Sequence, residues 1–151
     1  MTIKEKILAD LPYRTPFLFV DKIDRLDENG VVGTFYLHPE LDFYKGHFID
    51  YPVTPGVILT EIMAQIGLVC LGLFLIKDRS EEIRFPFVLT ASEIAFLKPV
   101  YPGDTVTVTS QKIYFRFGKL KCSVNMYNGN GILVCEGTIA GMIAKQNDSH
   151  A

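Results

Sequence analysis

The chain has 151 residues, a length typical of one domain with a single hydrophobic core. Apolar residues make up 48% of it and charged residues 21%, proportions that exclude a disordered or fibrous protein. The formal net charge of -2 is too small to favour nucleic acid or an anionic membrane surface as a partner. Cys70, Cys122 and Cys135 have no metal-type or redox-type spacing, which indicates buried thiols in a reducing compartment.

The first residues predict a short helix. Thr2 and Glu5 have the spacing of a capping box, and Leu11-Pro12 predicts the end of the helix. The same segment mixes acids with lysines and lacks the apolar stretch and cleavage site of a signal peptide. We therefore expect a cytoplasmic protein.

Two strands joined by a tight turn are predicted next. Residues 17–26 and 31–37 are rich in strand-forming side chains, and the turn sequence Asp-Glu-Asn-Gly occupies positions 27–30. The chain then enters a loop with aromatic residues and a Gly-His-Phe sequence at 46–48.

One long and almost entirely apolar helix is predicted between Pro55 and Ile76. Thr54 is a suitable N-cap, and Pro55 suits the first helical position. The uninterrupted apolar run after Gln65 is about eleven residues, short of the roughly 20 that a bilayer requires, so we expect a core helix rather than a membrane span. A helix that is apolar on nearly every side must be enclosed, and a curved sheet around it would do that.

The rest of the chain alternates as strands do. Leu120, Cys122, Val124 and Met126 fall on one face, and turn sequences occur at 102–104 and 128–131. We expect a single domain over residues 1–145, followed by a polar C-terminal tail at 146–151 that contains His150.

Glu61 is the only acidic or basic side chain between Pro55 and Ile76. Carboxylates are almost never buried without a partner. The helix dipole would favour the anion by about 0.3–1 kcal/mol, whereas burial can raise a carboxyl pKa by up to about 3–5 pH units, at about 1.36 kcal/mol each. A dry site therefore predicts a protonated Glu61 near neutral pH, which is the state required of a general acid.

The surroundings of Glu61 on the helix predict a site. Helical side chains lean toward the N-terminus, where Gly56 and Val57 have N–H groups free to hold a developing oxyanion. Gly56 has no side chain to obstruct a substrate carbonyl, and Gln65, four residues beyond Glu61, can orient its carboxyl. The alternative is that Glu61 pairs with a basic residue elsewhere, and these residues alone do not decide between the two.

His47 lies in the loop that leads into the helix. A lone histidine among aromatics is more often structural than catalytic, but we expect this loop to bring His47 to the helix start, beside Glu61 and Gly56. His47 and Glu61 have no third ligand nearby, so we expect no metal site. His38 is interpreted as an ordinary loop residue.

A long pattern from His47 to Gln65, HFxxxPxxPGxxxxE followed by Gln four positions on, resembles the 3-hydroxyacyl-[acyl carrier protein] dehydratases of bacterial fatty acid synthesis. Segments 11–21, 43–46 and 96–104 also resemble that family. The resemblance implies an α+β hot-dog fold, in which a curved antiparallel β-sheet wraps a long central helix.

The same resemblance implies an assembly and a reaction. Two chains would pair into one continuous sheet, as a homodimer or a trimer of such dimers, with His47 from one subunit and Glu61 from the other in each active site. His47 would remove the proton alpha to the thioester carbonyl, Glu61 would protonate the departing 3-hydroxyl, and the Gly56 amide would polarise the carbonyl. The product would be a trans-2-enoyl thioester, and no cofactor is needed because the carbonyl itself acidifies the alpha proton.

Two positions depart from the usual dehydratase pattern. Ile49 replaces a proline, as in the branch that also isomerises the double bond, whereas that branch carries aspartate where this chain has Glu61. We therefore favour dehydration without isomerisation. Tyr13 stands where many relatives have histidine, which fits a specialised member such as a dehydratase of polyene or aryl-polyene precursors.

The resemblance also implies acyl carrier protein as a partner, an acidic protein that basic side chains would bind. Each docking candidate has the alternative of being an ordinary solvated lysine, and each tunnel candidate that of being a plain core aromatic. The docking candidates are Lys98, Lys119 and Lys121. The candidates for lining or gating an acyl tunnel are Phe43, Tyr44, Phe85 and Phe87.

Two other functions stay open. A hot-dog thioesterase would hydrolyse the acyl thioester with the carboxylate and a water, although the spacing from His47 to Glu61 speaks against it. A non-catalytic acyl-binding module would use the helix only to shelter a lipid chain.

Overall fold

A computed structural model of the chain describes residues 1–79 and 83–145. The first helix, α1 (Ile3–Asp10), has the predicted capping box: the Thr2 hydroxyl accepts from the Glu5 N–H, and the Glu5 carboxylate accepts from the Thr2 N–H. The helix buries Ile7 and ends at Leu11, as predicted. The tail predicted at 146–151 lies outside the described residues.

Six antiparallel strands form one sheet in the order β1-β2-β4-β5-β6-β3, so β1 and β3 are its edges. Antiparallel pairing follows from the alternating pattern and the short turns. The strands are β1 (Lys22–Asp27), β2 (Gly30–Tyr36), β3 (Ile83–Phe96), β4 (Thr105–Arg116), β5 (Lys119–Tyr127) and β6 (Leu133–Lys145).

The strand predicted over 17–26 begins only at Lys22, so its first half is wrong. The reason is that residues 17–19 bond to a side chain rather than to a neighbouring strand: the Gln65 amide donates to the Phe17 carbonyl and accepts from the Phe19 N–H. Asp21 comes back to the sheet, because its N–H donates to the Thr34 carbonyl over 2.9 Å.

The central helix runs over Gly56–Leu75 and has three parts. An α-helical part, α2 (Gly56–Ala64), continues through a π-helical turn (Gln65–Cys70) into α3 (Leu71–Leu75). The Ser110 hydroxyl donates to the Gly67 carbonyl over 2.7 Å within the π-helical turn. The long helix was predicted, but the wide turn was not, because an apolar run has no periodic signal that would reveal an extra residue.

By length and composition the central helix could cross a membrane, yet 67% of its most apolar window is buried inside the protein. The sheet side chains that face it include Leu120, Cys122, Val124 and Met126, all fully buried as predicted. The predicted core helix and the α+β hot-dog architecture are therefore confirmed. Each of the three cysteines is a buried free thiol, also as predicted.

Thr54 is not the N-cap of the central helix. Pro55 occupies the cap position without a side-chain hydrogen bond, and the Thr54 hydroxyl instead lies 2.6 Å from the Tyr44 hydroxyl. The Thr54 N–H donates to the Val100 carbonyl, so this residue ties the entry loop to the loop after β3 rather than to the helix.

Candidate active site

Glu61 borders a cavity of about 340 Å³ between the central helix, the segment before β1 and the start of β3. Apart from Glu61 and the hydroxyl of Tyr13, the side chains that line it among the described residues are apolar. They are Pro12, Phe17, Ala64, Leu68, Val69, Phe87, Val88 and Leu89. Burial raises the pKa of Glu61, and a hydrogen bond from Gln65, which favours the anion, opposes part of that effect. The carboxyl therefore keeps its proton to a higher pH than an exposed glutamate does.

Gln65 is completely buried and fixes the Glu61 carboxyl. Its Nε2 donates to Oε2 of Glu61 over 2.9 Å and to the Phe17 carbonyl over 2.9 Å. Its Oε1 accepts from the Phe19 N–H over 2.8 Å. All the donors of this amide are occupied, which locks its rotamer and holds Glu61 in one orientation.

The side chains that the structure describes provide no basic partner for Glu61. All the ion pairs recorded among them lie at the surface, and none includes this residue. An ion pair would have lowered the carboxyl pKa, whereas the observed surroundings raise it. The alternative of a salt-bridged Glu61 therefore finds no support in this part of the chain.

Tyr13 lies across the same cavity and was not predicted as a site residue. Its pKa is raised above the ordinary value by burial first, and then by the nearby Glu61 and Cys70, because a negative charge on either group would repel a phenolate. The proximity to Glu61 is a contact between segments far apart in the chain, which no local pattern indicates.

Phe87 is the one tunnel candidate whose described side chain lines the Glu61 cavity. The pairing of β3 with β6 shifts register between Phe85 and Val88, and Phe87 has a left-handed backbone with a φ of 63°. Such a bulge redirects a side chain, and the buried Phe87 ring packs where a Cβ on Gly72 would stand. The side chain of Phe85 lies outside the described part of the structure.

Phe43 and Tyr44 do not line the Glu61 cavity. They lie in a 3-10 helix (Asp42–Lys45), with ring centroids 4.6 Å apart. Tyr44 is buried, and its hydroxyl is satisfied by Thr54. Within one chain these two aromatics pack the loop that precedes the helix, and their role in lining or gating an acyl tunnel stays a prediction.

His47 is held at the entry to the central helix by two contacts with Val53. Its Nδ1 lies 2.9 Å from the Val53 carbonyl, and its own carbonyl accepts from the Val53 N–H. Because a carbonyl oxygen only accepts, Nδ1 carries the hydrogen, and the neutral ring keeps the lone pair on Nε2. The ring stacks on Phe48 at 3.9 Å between centroids. This arrangement presents a half-buried base.

Gly56 starts the helix and has an unpaired amide. The N–H groups of Ile58 and Leu59 bond to the Pro55 carbonyl, whereas those of Gly56 and Val57 have no acceptor among residues 1–79 and 83–145. A Cβ on Gly56 would lie 3.3 Å from the Phe96 ring, so the missing side chain makes room for that ring. Two amide donors are thus available, as an oxyanion hole requires.

These groups do not meet in one cavity of a single chain. The lining of the Glu61 cavity includes neither His47 nor Gly56 nor Val57, and Gly56 borders a different cavity with Lys98. Glu61 is five positions beyond Gly56 on the helix, a rotation of about 140° around the axis. Within one chain the three groups border no common described cavity, and the expected convergence of His47, Glu61 and Gly56 stays a prediction.

The three lysines lie in two places. Lys98 is exposed beside Gly56. Lys119 pairs with Met142 on β6, which pairs with Val88 on β3, a residue that lines the Glu61 cavity. Lys121 is on the same face of β5 as Lys119. The two β5 lysines therefore lie about 10 Å across the sheet from that part of β3.

Known proteins resemble this chain in sequence and in fold. The model of the FabA-like domain matches residues 11–141. The 3-hydroxyacyl-[acyl-carrier-protein] dehydratase FabZ of Clostridium perfringens is 36% identical over 143 residues, 92% of this chain and 96% of the relative. The FabZ of a Roseiflexus species is 35% identical over 92% of this chain and 94% of its own.

Two solved structures share the fold at low sequence identity. The dehydratase heterocomplex ApeI:P of Xenorhabdus doucetiae superposes with a TM-score of 0.75 at 14% identity, covering 89% of this chain and 88% of that chain. A hypothetical thioesterase of Streptococcus pneumoniae superposes with a TM-score of 0.62 at 19% identity, covering 83% and 86%.

Proposed function

The chain belongs to the FabA-like family, and from that premise we propose that it removes water from 3-hydroxyacyl groups carried as thioesters on acyl carrier protein, as a hydro-lyase of fatty acid biosynthesis. The observation that carries this proposal is the single carboxyl of the core helix, oriented by a buried amide and facing a cavity whose other described side chains, apart from the Tyr13 hydroxyl, are apolar. Such a carboxyl is protonated at a pH where an ordinary glutamate is ionised.

In the proposed reaction, Nε2 of His47 takes the proton alpha to the thioester carbonyl. The electron pair of that C–H bond becomes the new double bond as the C3–O bond breaks, and Glu61 gives its proton to the departing hydroxyl, which leaves as water. The amides of Gly56 and Val57 hold the carbonyl oxygen while negative charge develops on it. The products are a trans-2-enoyl thioester and water, with no change of oxidation state and no cofactor.

We further propose a homodimer in which His47 of one subunit serves the Glu61 cavity of the other. Within one chain His47 does not line that cavity, and the loop beyond it exposes Phe48 by 55% and Ile49 by 83%. The edge strand β3 (Ile83–Phe96) also leaves apolar side chains exposed, and such an edge is a template for pairing with another chain. A trimer of such dimers stays a prediction.

The carrier protein is proposed to dock beside the cavity through basic side chains. Lys119 and Lys121 lie across the sheet from the β3 residues of the Glu61 cavity, and Lys98 stands next to the Gly56 amide. Exposed charges of this kind mainly accelerate association with an acidic partner. Fatty acid synthesis on a soluble carrier also fits the proposed cytoplasmic location.

Mass spectrometry of a 3-hydroxyacyl carrier protein after incubation with the enzyme tests the reaction. Loss of one water from the acylated carrier is expected. Release of a free acid with bare carrier protein would identify a thioesterase instead. An unchanged carrier would favour an acyl-binding module, and so would His47→Asn and Glu61→Gln variants that turn over as fast as the wild-type protein.

Mixing inactive variants tests the shared site. Equal amounts of His47→Asn and Glu61→Gln chains, unfolded and refolded together, give half mixed dimers, and each mixed dimer has one intact site. About a quarter of the wild-type activity is therefore expected to return. If each chain contained a complete site of its own, mixing would restore nothing.

A further inference from the structure

Resting on the proposed function, we propose that the Tyr13 hydroxyl donates a hydrogen bond to the oxygen of the substrate's 3-hydroxyl and so positions that oxygen for the Glu61 proton. Tyr13 lines the same cavity as Glu61, of about 340 Å³. The two residues approach it from different segments, Tyr13 from the loop after α1 and Glu61 from the central helix.

The Tyr13 hydroxyl is free to bind a ligand. It makes no hydrogen bond to any other group in the described part of the chain, although the buried tyrosine Tyr44 is paired with Thr54. In the same part, no fully buried side-chain nitrogen or oxygen lacks a partner. The unpaired Tyr13 hydroxyl is therefore open to the cavity rather than sealed in the core.

The wall that carries Tyr13 is rigidly joined to the acid. The Tyr13 ring packs against Phe17, with centroids 6.5 Å apart. The Phe17 carbonyl accepts from the same Gln65 amide that donates to Glu61, each over 2.9 Å. The buried Gln65 side chain thus fixes the position of the Glu61 carboxyl relative to the segment that carries Tyr13. Fixed relative positions are required if both residues are to bind one substrate oxygen.

The chemistry of the lining identifies the bound group. The other described side chains around the cavity are apolar, so an acyl chain fits against them, and among these residues only Glu61 and Tyr13 offer partners to a polar substituent of that chain. In a 3-hydroxyacyl thioester that substituent is the hydroxyl that leaves. A 3-hydroxyacyl substrate whose hydroxyl oxygen had no hydrogen-bond partner in such a site would lose most of its affinity for the enzyme.

Tyr13 holds the oxygen without exchanging a proton. The leaving oxygen keeps its own hydrogen and receives the second from Glu61, while the phenol donates to a lone pair of that oxygen and stays neutral. Burial and the neighbouring Glu61 charge both raise the Tyr13 pKa, so the phenol remains a donor even after Glu61 has become a carboxylate.

Turnover of a Tyr13→Phe variant tests the proposal. We expect kcat to fall by about ten-fold or more and KM to rise by about five-fold, because the lost bond both orients the leaving group and helps to bind the 3-hydroxyl. Tyr13→His keeps a donor at this position and is expected to recover most of kcat. Tyr36→Phe removes an exposed hydroxyl outside the cavity and should leave both constants unchanged.

A binding cycle separates this role from simple packing. In the His47→Asn background, which halts turnover, the affinity for a 3-hydroxyacyl carrier protein is compared with that for the saturated acyl form, with and without the Tyr13→Phe substitution. Tyr13→Phe should lower the preference for the hydroxylated chain by about five-fold. An unchanged preference, or a kcat equal to that of the wild type, would overturn the proposal. Wild-type protein that removes no water at all would instead overturn the proposed dehydratase activity.

Discussion

In the second half of the central helix, Ile66, Cys70 and Leu71 are completely buried, whereas in the first half Val57 is 76% exposed and Glu61 borders a cavity. The two halves belong to one continuous helix and are almost equally apolar in sequence. Gln65 stands at the junction and makes hydrogen bonds toward the reacting half and toward the outer segment at residues 17–19. The ionisable side chain is thus confined to the first half, whereas side chains that stabilise the core occur in both halves, and substitutions along the helix should reveal this difference.

The largest effect is expected at Glu61. Glu61→Gln keeps the shape and the contact with Gln65 but removes the transferable proton, so dehydration should slow by at least about 10³-fold, equivalent to about 4 kcal/mol in the barrier. The melting temperature should not fall. Glu40→Gln, at an exposed loop position, is the matched control and should retain full activity. A Glu61→Gln enzyme within ten-fold of wild type would contradict the division of the helix.

The next largest effect is expected in the packed half, and on stability alone. Ile66→Ala empties fully buried space and should lower the free energy of unfolding by about 3 kcal/mol, measured by urea denaturation. Turnover per folded molecule should stay within about two-fold of wild type. Ile113→Ala, at a half-exposed strand position, should change stability by less than about 1 kcal/mol. Equal losses in the two variants would show that the packed half has no special part in stability.

Substitution of Gln65 should lower both the stability and the dehydration rate, each to a smaller extent. Gln65→Met keeps the volume but leaves the Phe17 carbonyl and the Phe19 N–H without partners, so stability should fall by about 2 kcal/mol. Because Glu61 also loses its orienting donor, the rate should fall by about ten-fold. Gln111→Met, on the exposed face of β4, controls for the chemical change. A loss in only one of the two measurements would argue against Gln65 as the link between the halves.

The smallest effect is a pH dependence of stability. The Glu61 pKa is raised above its ordinary value of 4.5 in the folded chain, so the folded state binds that proton more tightly than the unfolded state does. The resulting stabilisation is complete below pH 4.5 and is lost as the pH rises through the raised pKa. Glu61→Gln does not titrate, and its stability relative to wild type should therefore increase with pH. The effect is small because water reaches part of the carboxyl. A difference that is flat or decreases with pH would contradict the raised pKa.

Much of the fold follows from local patterns. The capping box at Thr2 and Glu5 and the alternation along β5 were predicted because neighbours in sequence determine them. Residues 17–19 were wrongly predicted as strand because their backbone groups bond to an amide on the distant central helix. Thr54 was wrongly predicted as a cap for a similar reason, since its hydroxyl is used by Tyr44 across the loop.

The site divides in the same way. Glu61 and Gln65 lie four residues apart on one helix, so their contact could be predicted from spacing alone. Tyr13 and Phe17 join them through tertiary packing, which spacing does not reveal. The sequence also does not reveal that Nε2 of His47 has the free lone pair, because the Val53 carbonyl determines which ring nitrogen carries the hydrogen.

The π-helical turn, whose Gly67 carbonyl accepts from Ser110, allows the two parts of the helix to face different directions. A turn that contains an extra residue changes the rotational phase between the segments on either side of it. The side chains before Gln65 can consequently be aimed at a ligand while those after Cys70 stay in register with the sheet. Because an ordinary helix advances by about 100° per residue, deleting one residue from the wide turn would rotate Glu61 away from its cavity, together with the buried Ile62 and Met63, relative to the side chains after Cys70.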